Sequence, residues 1–135
     1  MPTNEQLAVY ANILLTKGLN LQKGQILVVN APVESSAFVT ILTKESYICG
    51  ASQVVCNWRC DDTARLRYEY EGQEQFESFP EWRREFSLSY YRQNAAFLSL
   101  ISANPYLMSG IDTKKIFAWQ KAQNEALKEY IDGMM

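Results

Sequence analysis

Histidine is absent from all 135 residues. The commonest general base near neutral pH and the commonest zinc ligand are therefore both missing. Glycine is sparse. Gly18, Gly24, Gly50, Gly72, Gly110 and Gly133 are scattered, and neither GxGxxG nor GxxxxGK[ST] occurs. That excludes the glycine-rich phosphate cradles of dinucleotide- and nucleotide-binding folds. No apolar run approaches the ~20 residues that cross a bilayer. The opening residues Met1-Pro2-Thr3-Asn4-Glu5 lack the basic and apolar regions of a signal peptide. Lys and Arg number 13 against 15 Asp and Glu, a net charge of −2. No basic footprint for nucleic acid or an anionic membrane follows from such a balance.

What is present reads as a globular domain. The chain is 47% apolar and 21% charged, which excludes disorder, collagen and coiled coil. A chain of this length buries roughly 68% of its unfolded surface, enough for a core. Cys49, Cys56 and Cys60 are odd in number. With no signal peptide in view, free thiols in a reducing cytoplasm are expected. Their spacing matches no zinc pattern, and a fourth ligand would have to be Asp61 or Asp62. Those adjacent carboxylates point apart on a helix, so Asp61 reads more simply as a helix cap.

Periodicity sets out the elements. Thr3 and Gln6 form a capping box for a first helix striped by Leu7, Tyr10, Ala11, Leu14 and Leu15, which Lys17-Gly18 ends. Residues 25–30 are a β-branched run suited to a strand buried on both faces. Pro32 suits the first position of a second helix, with apolar positions at Val33, Ala37, Phe38, Ile41, Leu42 and Ile48 and a stop at Gly50. Residues 52–58 are a second strand, parallel to the first because a long helix joins them. Residues 95–102 are a third, ended by Asn104-Pro105. A last helix follows Asp112, with Ile111 and Ile116 as a hydrophobic staple. Ile116, Trp119, Gln123, Leu127 and Tyr130 form its stripe, and it runs to about residue 132.

Residues 59–92 differ from the rest. They hold all six arginines, eight of the seventeen aromatics and, among larger aliphatics, only Leu66 and Leu88. Such a segment predicts two helices, near 61–72 and 80–93, with Ser78 as cap and Pro80 at the start of the second. The fold class is α/β: a layered domain over residues 1–135 with a small parallel sheet of about three strands flanked by helices, in the order α-β-α-β-α-α-β-α.

Ligands of open parallel sheets bind beyond the carboxyl ends of the strands. Asn30, Asn57-Trp58, Ser102 and Asn104 converge there. Asn30, Asn57, Trp58 and Asn104 are the candidate contacts with a substrate cavity or a facing domain, since amides donate and accept at once. The same residues also suit turns and helix caps. Arg65, Arg67, Tyr68, Trp82 and Arg83 are the candidate interface, because Arg, Tyr and Trp are enriched at buried interface centres. The competing reading pairs those arginines with the eight acids of the same segment. A free-standing α/β module for a small ligand or a protein partner is the alternative function.

One family resemblance spans essentially the whole chain. It rests on the run from Gly18 to Trp58, GLNLQKGQILVVNAPVESSAFVTILTKESYICGASQVVCNW, followed in order by RLRYEY (65–70), FPEWR (79–83), AAFLSL (95–100) and NP…GID (104–112), and then by a helix carrying Lys121-Ala122. Together these resemble the N-terminal region of the thermophilic-type metallo-aminopeptidases, the family of aminopeptidases S, T and II. The resemblance implies a longer, two-domain, cytoplasmic, homodimeric enzyme that releases N-terminal residues from peptides. It implies two divalent metal ions, of the Zn, Co or Mn type, held by Glu, His and Asp beyond Met135. On that reading this chain supplies no catalytic residue and no metal ligand. It is the non-catalytic N-terminal domain, inactive alone, whose partners are the missing catalytic domain, a second subunit and a peptide substrate.

Overall fold

The computed structural model describes residues 3–101 and 110–134. These gather into two compact units, one of residues through Arg59 together with 93–101, the other of residues 60–92 and 110–134.

The first unit is a three-stranded parallel sheet with helices. Helix α1 (Asn4–Ile13) opens with the expected capping box, in which the Thr3 hydroxyl accepts from the Gln6 N–H and the Gln6 side chain accepts from the Thr3 N–H. It ends in a π turn, Leu14–Gly18. Strand β1 (Ile26–Pro32) is followed by a 3-10 turn (Val33–Ser35), helix α2 (Ser36–Ile48) and strand β2 (Gln53–Arg59). Strand β3 (Ala96–Ser99) comes after the second unit's first part. The order is β2-β1-β3, and both pairings are parallel.

One face of β1 carries Leu27, Val29 and Ala31, which pack with Ala11 of α1, Leu15 of the π turn and Val39 and Leu42 of α2. Val54 and Cys56 of β2 and Ala96 and Leu98 of β3 extend that layer. The opposite face carries Val28, fully buried, in register with Val55 and Phe97. Burial on both faces explains why β1 reads as a continuous apolar run rather than an alternating one.

Three expectations for this unit need correction. Pro32 ends β1 in an extended conformation and caps the 3-10 turn, instead of opening a helix. At residue 32 the pairing with β3 has already ended, at Asn30 and Ser99, so Pro32 sits where β1 has a neighbour on one side only, an edge position that a residue without an N–H tolerates. Val33 and Ile48 lie exposed, so Val39 and Leu42 fill the core from α2. Tyr10 is also largely exposed, with its ring set at the rim against Phe38 at 5.9 Å. Gly50 does close α2, at φ +102, and a Cβ there would crowd Lys23 at 3.1 Å.

The second unit contains α3 (Asp61–Tyr70), a 3-10 turn (Gln73–Phe76), α4 (Glu81–Arg92), α5 (Thr113–Ala126) and α6 (Lys128–Met134). Cys60, not Asp61, is the cap of α3; its carbonyl accepts from Ala64 N–H and the Thr63 hydroxyl. Pro80 takes the cap position of α4, where its carbonyl receives the N–H groups of Arg83 and Arg84. Asp112 caps α5 through the Lys114 N–H at 2.9 Å. Ile111 and Ile116 share one cluster, as a staple requires. The last helix is two helices, broken at Leu127, and Ala122 rather than Gln123 turns inward. Leu127 is buried at the break, so the side chain is kept in the core while the backbone leaves the helical path.

Candidate functional site

Parallel pairing fixes which side chains meet at the carboxyl end of the sheet. Asn30 is the register partner of Asn57 on one side and of Ser99 on the other. Asn57 Nδ2 donates to Asn30 Oδ1 at 2.8 Å, and Asn30 Nδ2 donates to Ser99 Oγ at 3.5 Å. Three strands thus contribute one polar row. Trp58 lies one residue beyond Asn57, hence on the opposite face, in register with Ala31 and 43% exposed. The structure therefore brings Asn30 and Asn57 together and sets Trp58 apart from them. Asn104 and Ser102 lie outside the described residues. The third strand's member of the row is Ser99, whose signal in the sequence was a polar residue between Leu98 and Leu100. Behind the row, the Arg59 guanidinium donates to the Leu100 carbonyl, and Leu100 N–H donates to the Asn30 carbonyl at 2.8 Å.

The arginine- and aromatic-rich segment builds a cluster in the second unit. Arg67 lies with its guanidinium 4.5 Å from the Phe76 ring centre and 4.1 Å from that of Trp119. Its Nε donates to Glu71 at 2.9 Å and another nitrogen to the Gln75 carbonyl at 3.0 Å. Tyr68 stacks on Phe76 at 4.8 Å, and its carbonyl accepts from Lys115 Nζ. Arg67 and Tyr68 are thus engaged inside the unit. Arg65 pairs with Glu69 at 3.0 Å on the surface of α3. Trp82 stands 66% exposed on α4, with the Arg83 guanidinium 4.8 Å from its ring centre.

Burial raises the Tyr68 phenol above its ordinary value of 10.0, and the Arg67 charge partly opposes the rise. A phenol kept neutral by folding stabilises the fold below that value. The contribution is lost as pH climbs through 10 toward the raised folded value, because the unfolded chain releases its proton first. Burial raises Tyr130 in the same direction. Tyr68→Phe is expected to flatten, without abolishing, the fall of the urea midpoint between about pH 9 and pH 11. An unchanged slope would contradict the assignment.

Two cavities flank these features, one in each unit. One, of about 320 Å³, lies near the amino ends of the strands against Gln22, Lys23, Gln25, Ser52 and Asn94. The other, of about 410 Å³, is bounded by Gln73, Glu77, Lys121 and Glu125. Among the described residues no three His, Cys, Asp or Glu side chains come close enough to hold a metal ion. Cys49, Cys56 and Cys60 are free thiols. No helix among the described residues is long and apolar enough to cross a membrane.

The fold has a counterpart among known proteins. The chain is 42% identical over 127 residues to aminopeptidase AmpS of Bacillus subtilis (strain 168), a match covering 94% of this chain and 31% of that protein. It is 32% identical to aminopeptidase 2 of Geobacillus stearothermophilus, covering 97% of this chain and 32% of that one. The solved structure of wild-type AmpT from Thermus thermophilus superposes with a TM-score of 0.85 at 30% identity, over 95% of this chain and 32% of the other. The chain therefore spans about a third of the length of these relatives. Residues 3–135 match the family described as thermophilic metalloprotease (M29), and the chain belongs to that family.

Proposed function

We propose that this chain is the N-terminal, non-catalytic part of a metal-dependent aminopeptidase, an enzyme that releases N-terminal amino acids from peptides. The observation that carries the proposal is 42% identity across 94% of the chain to an aminopeptidase about three times as long. The absence of histidine supports the non-catalytic role, since two divalent ions of the Zn, Co or Mn type need a ligand set that these residues do not supply. The chain serves as a single α/β domain in which residues 59–92 are a helical excursion. Asn30, Asn57, Trp58 and Asn104 wall the substrate cavity or meet the catalytic part. Trp82, Arg83 and Arg65, with Arg67 and Tyr68 behind them, form the interface to that part or to a second subunit. The whole enzyme is a cytoplasmic homodimer without nucleic-acid or membrane partners.

The purified chain, supplied with Zn²⁺, Co²⁺ or Mn²⁺, is expected to release no chromophore from a leucyl chromogenic substrate. A chimera in which it replaces the matching third of the Bacillus subtilis relative is expected to release it. Turnover by the purified chain alone would overturn the non-catalytic assignment. An inactive, folded chimera would overturn the aminopeptidase reading.

A further inference from the structure

The row Asn57–Asn30–Ser99 runs in one electrical sense. Each amide nitrogen donates toward the next strand, from β2 to β1 and from β1 to β3. A side-chain amide carries an acceptor oxygen and two N–H donors, and a hydroxyl carries one donor. The row therefore ends in an acceptor on β2, Asn57 Oδ1, and in a donor on β3, the Ser99 hydroxyl, whose lone pair faces Asn30. Among the described residues these three side chains make no other hydrogen bond. Asn57 and Ser99 are exposed and Asn30 is half-buried.

The ends of the row are two strand spacings apart, about 9.6 Å. Three residues of extended peptide reach about 10 Å. A peptide backbone offers what the two ends lack, an N–H for the acceptor and a C=O for the donor. No charge is present in the row, so binding a neutral peptide group desolvates none. The row is also held in place before any ligand arrives. Arg59 ties the end of β2 to the Leu100 carbonyl, Leu100 ties the exit of β3 to Asn30, and Val28, Val55 and Phe97 lie in the preceding register position on the same face.

We infer that Asn57, Asn30 and Ser99 form a recognition row for the backbone of a short extended peptide, with its N–H at Asn57 and its C=O at Ser99. Ser99 is thereby a binding residue that the motifs did not single out. Because the row reads backbone and not side chains, it tolerates many peptide sequences. For the source of the peptide, a free substrate, the inference rests on the aminopeptidase reading.

The test is a titration of the ¹⁵N-labelled full 135-residue chain with trialanine amide, followed by NMR. Saturable shifts of the Asn30 and Asn57 side-chain NH₂ signals are expected, with a Kd of about 1 mM, a weak complex typical of a few hydrogen bonds. Ser99→Ala and Asn57→Val are each expected to weaken binding about tenfold. Gln53→Ala, at the other end of β2, leaves it unchanged. The N-methylated peptide, which lacks the N–H groups, is expected to bind equally poorly, and it probes the same hydrogen bonds without altering the protein. Absence of saturable shifts overturns the inference, as do shifts that survive both substitutions or an N-methylated peptide that binds as well. The readout does not depend on turnover. Binding beside an inactive chimera keeps the row and removes the aminopeptidase reading; an active chimera without binding does the reverse.

Discussion

Phe76→Ala is expected to destabilise the fold by about 3–5 kcal/mol, the range for truncating a fully buried aromatic. Phe76 has no solvent exposure, stacks on Tyr68 with 10° between the rings, and meets Trp119 edge-on at 6.3 Å. Its loss leaves a cavity in the cluster formed with Tyr68 and Ile111. It also strips one of two aromatic faces from the Arg67 guanidinium. Arg67 contacts with those faces are worth about 0.5–2 kcal/mol, a smaller term than the lost burial. Phe76→Leu keeps much of the volume and should cost less than the alanine variant. Urea denaturation followed by circular dichroism measures both. A loss below 1 kcal/mol for Phe76→Ala would show that this ring is not what the second unit is built around. A double-mutant cycle with Arg67→Met isolates the cation–π coupling from the rest.

Leu27→Ala is expected to cost about 2–5 kcal/mol, the range for buried leucines. Leu27 is fully buried on the central strand, opposite Val54 on one side and Ala96 on the other. Its side chain belongs to the layer in which α1, the π turn after it and α2 meet the sheet through Ala11, Leu15 and Leu42. The ladder hydrogen bonds of residue 27 are made by its backbone, so the substitution removes packing and leaves pairing intact. Domains are stable by only about 5–15 kcal/mol, so the loss is a large share of the total. Val9→Ala, on an exposed stretch of α1, is the contrast and should stay within about 0.5 kcal/mol. Equal losses in the two variants would contradict the placement of the core.

Much of the first unit was legible in the chain itself. Thr3 and Gln6 are three residues apart, and a capping box needs nothing more distant. The run from Ile26 to Val29 announces a strand buried on both faces. The helix between two strands dictates that they lie parallel, since the connection is too long for a hairpin. Pro32 misled because a proline fits both the end of a strand and the start of a helix, and local signals do not separate the two. In the second unit, Arg67 and Tyr68 read as interface residues by composition. Their contacts within the unit, with Phe76, Trp119, Glu71 and Lys115, were not legible there, because some of these partners lie about fifty positions away.

The sequence by itself determined the local features: the caps of α1 and α5, which runs are strands, the parallel sense of the sheet and the lack of any histidine. Those follow from side-chain periodicity, capping and composition, which act over a few residues. Only the tertiary structure decided that β1 is the central strand, that Asn30 faces Asn57 and Ser99 while Trp58 turns away, and that the C-terminal helix breaks at Leu127. Register and packing are set by hydrogen bonds and contacts between residues far apart in the chain. A period of two along a strand tells which side chains share a face, but not which neighbour they will meet.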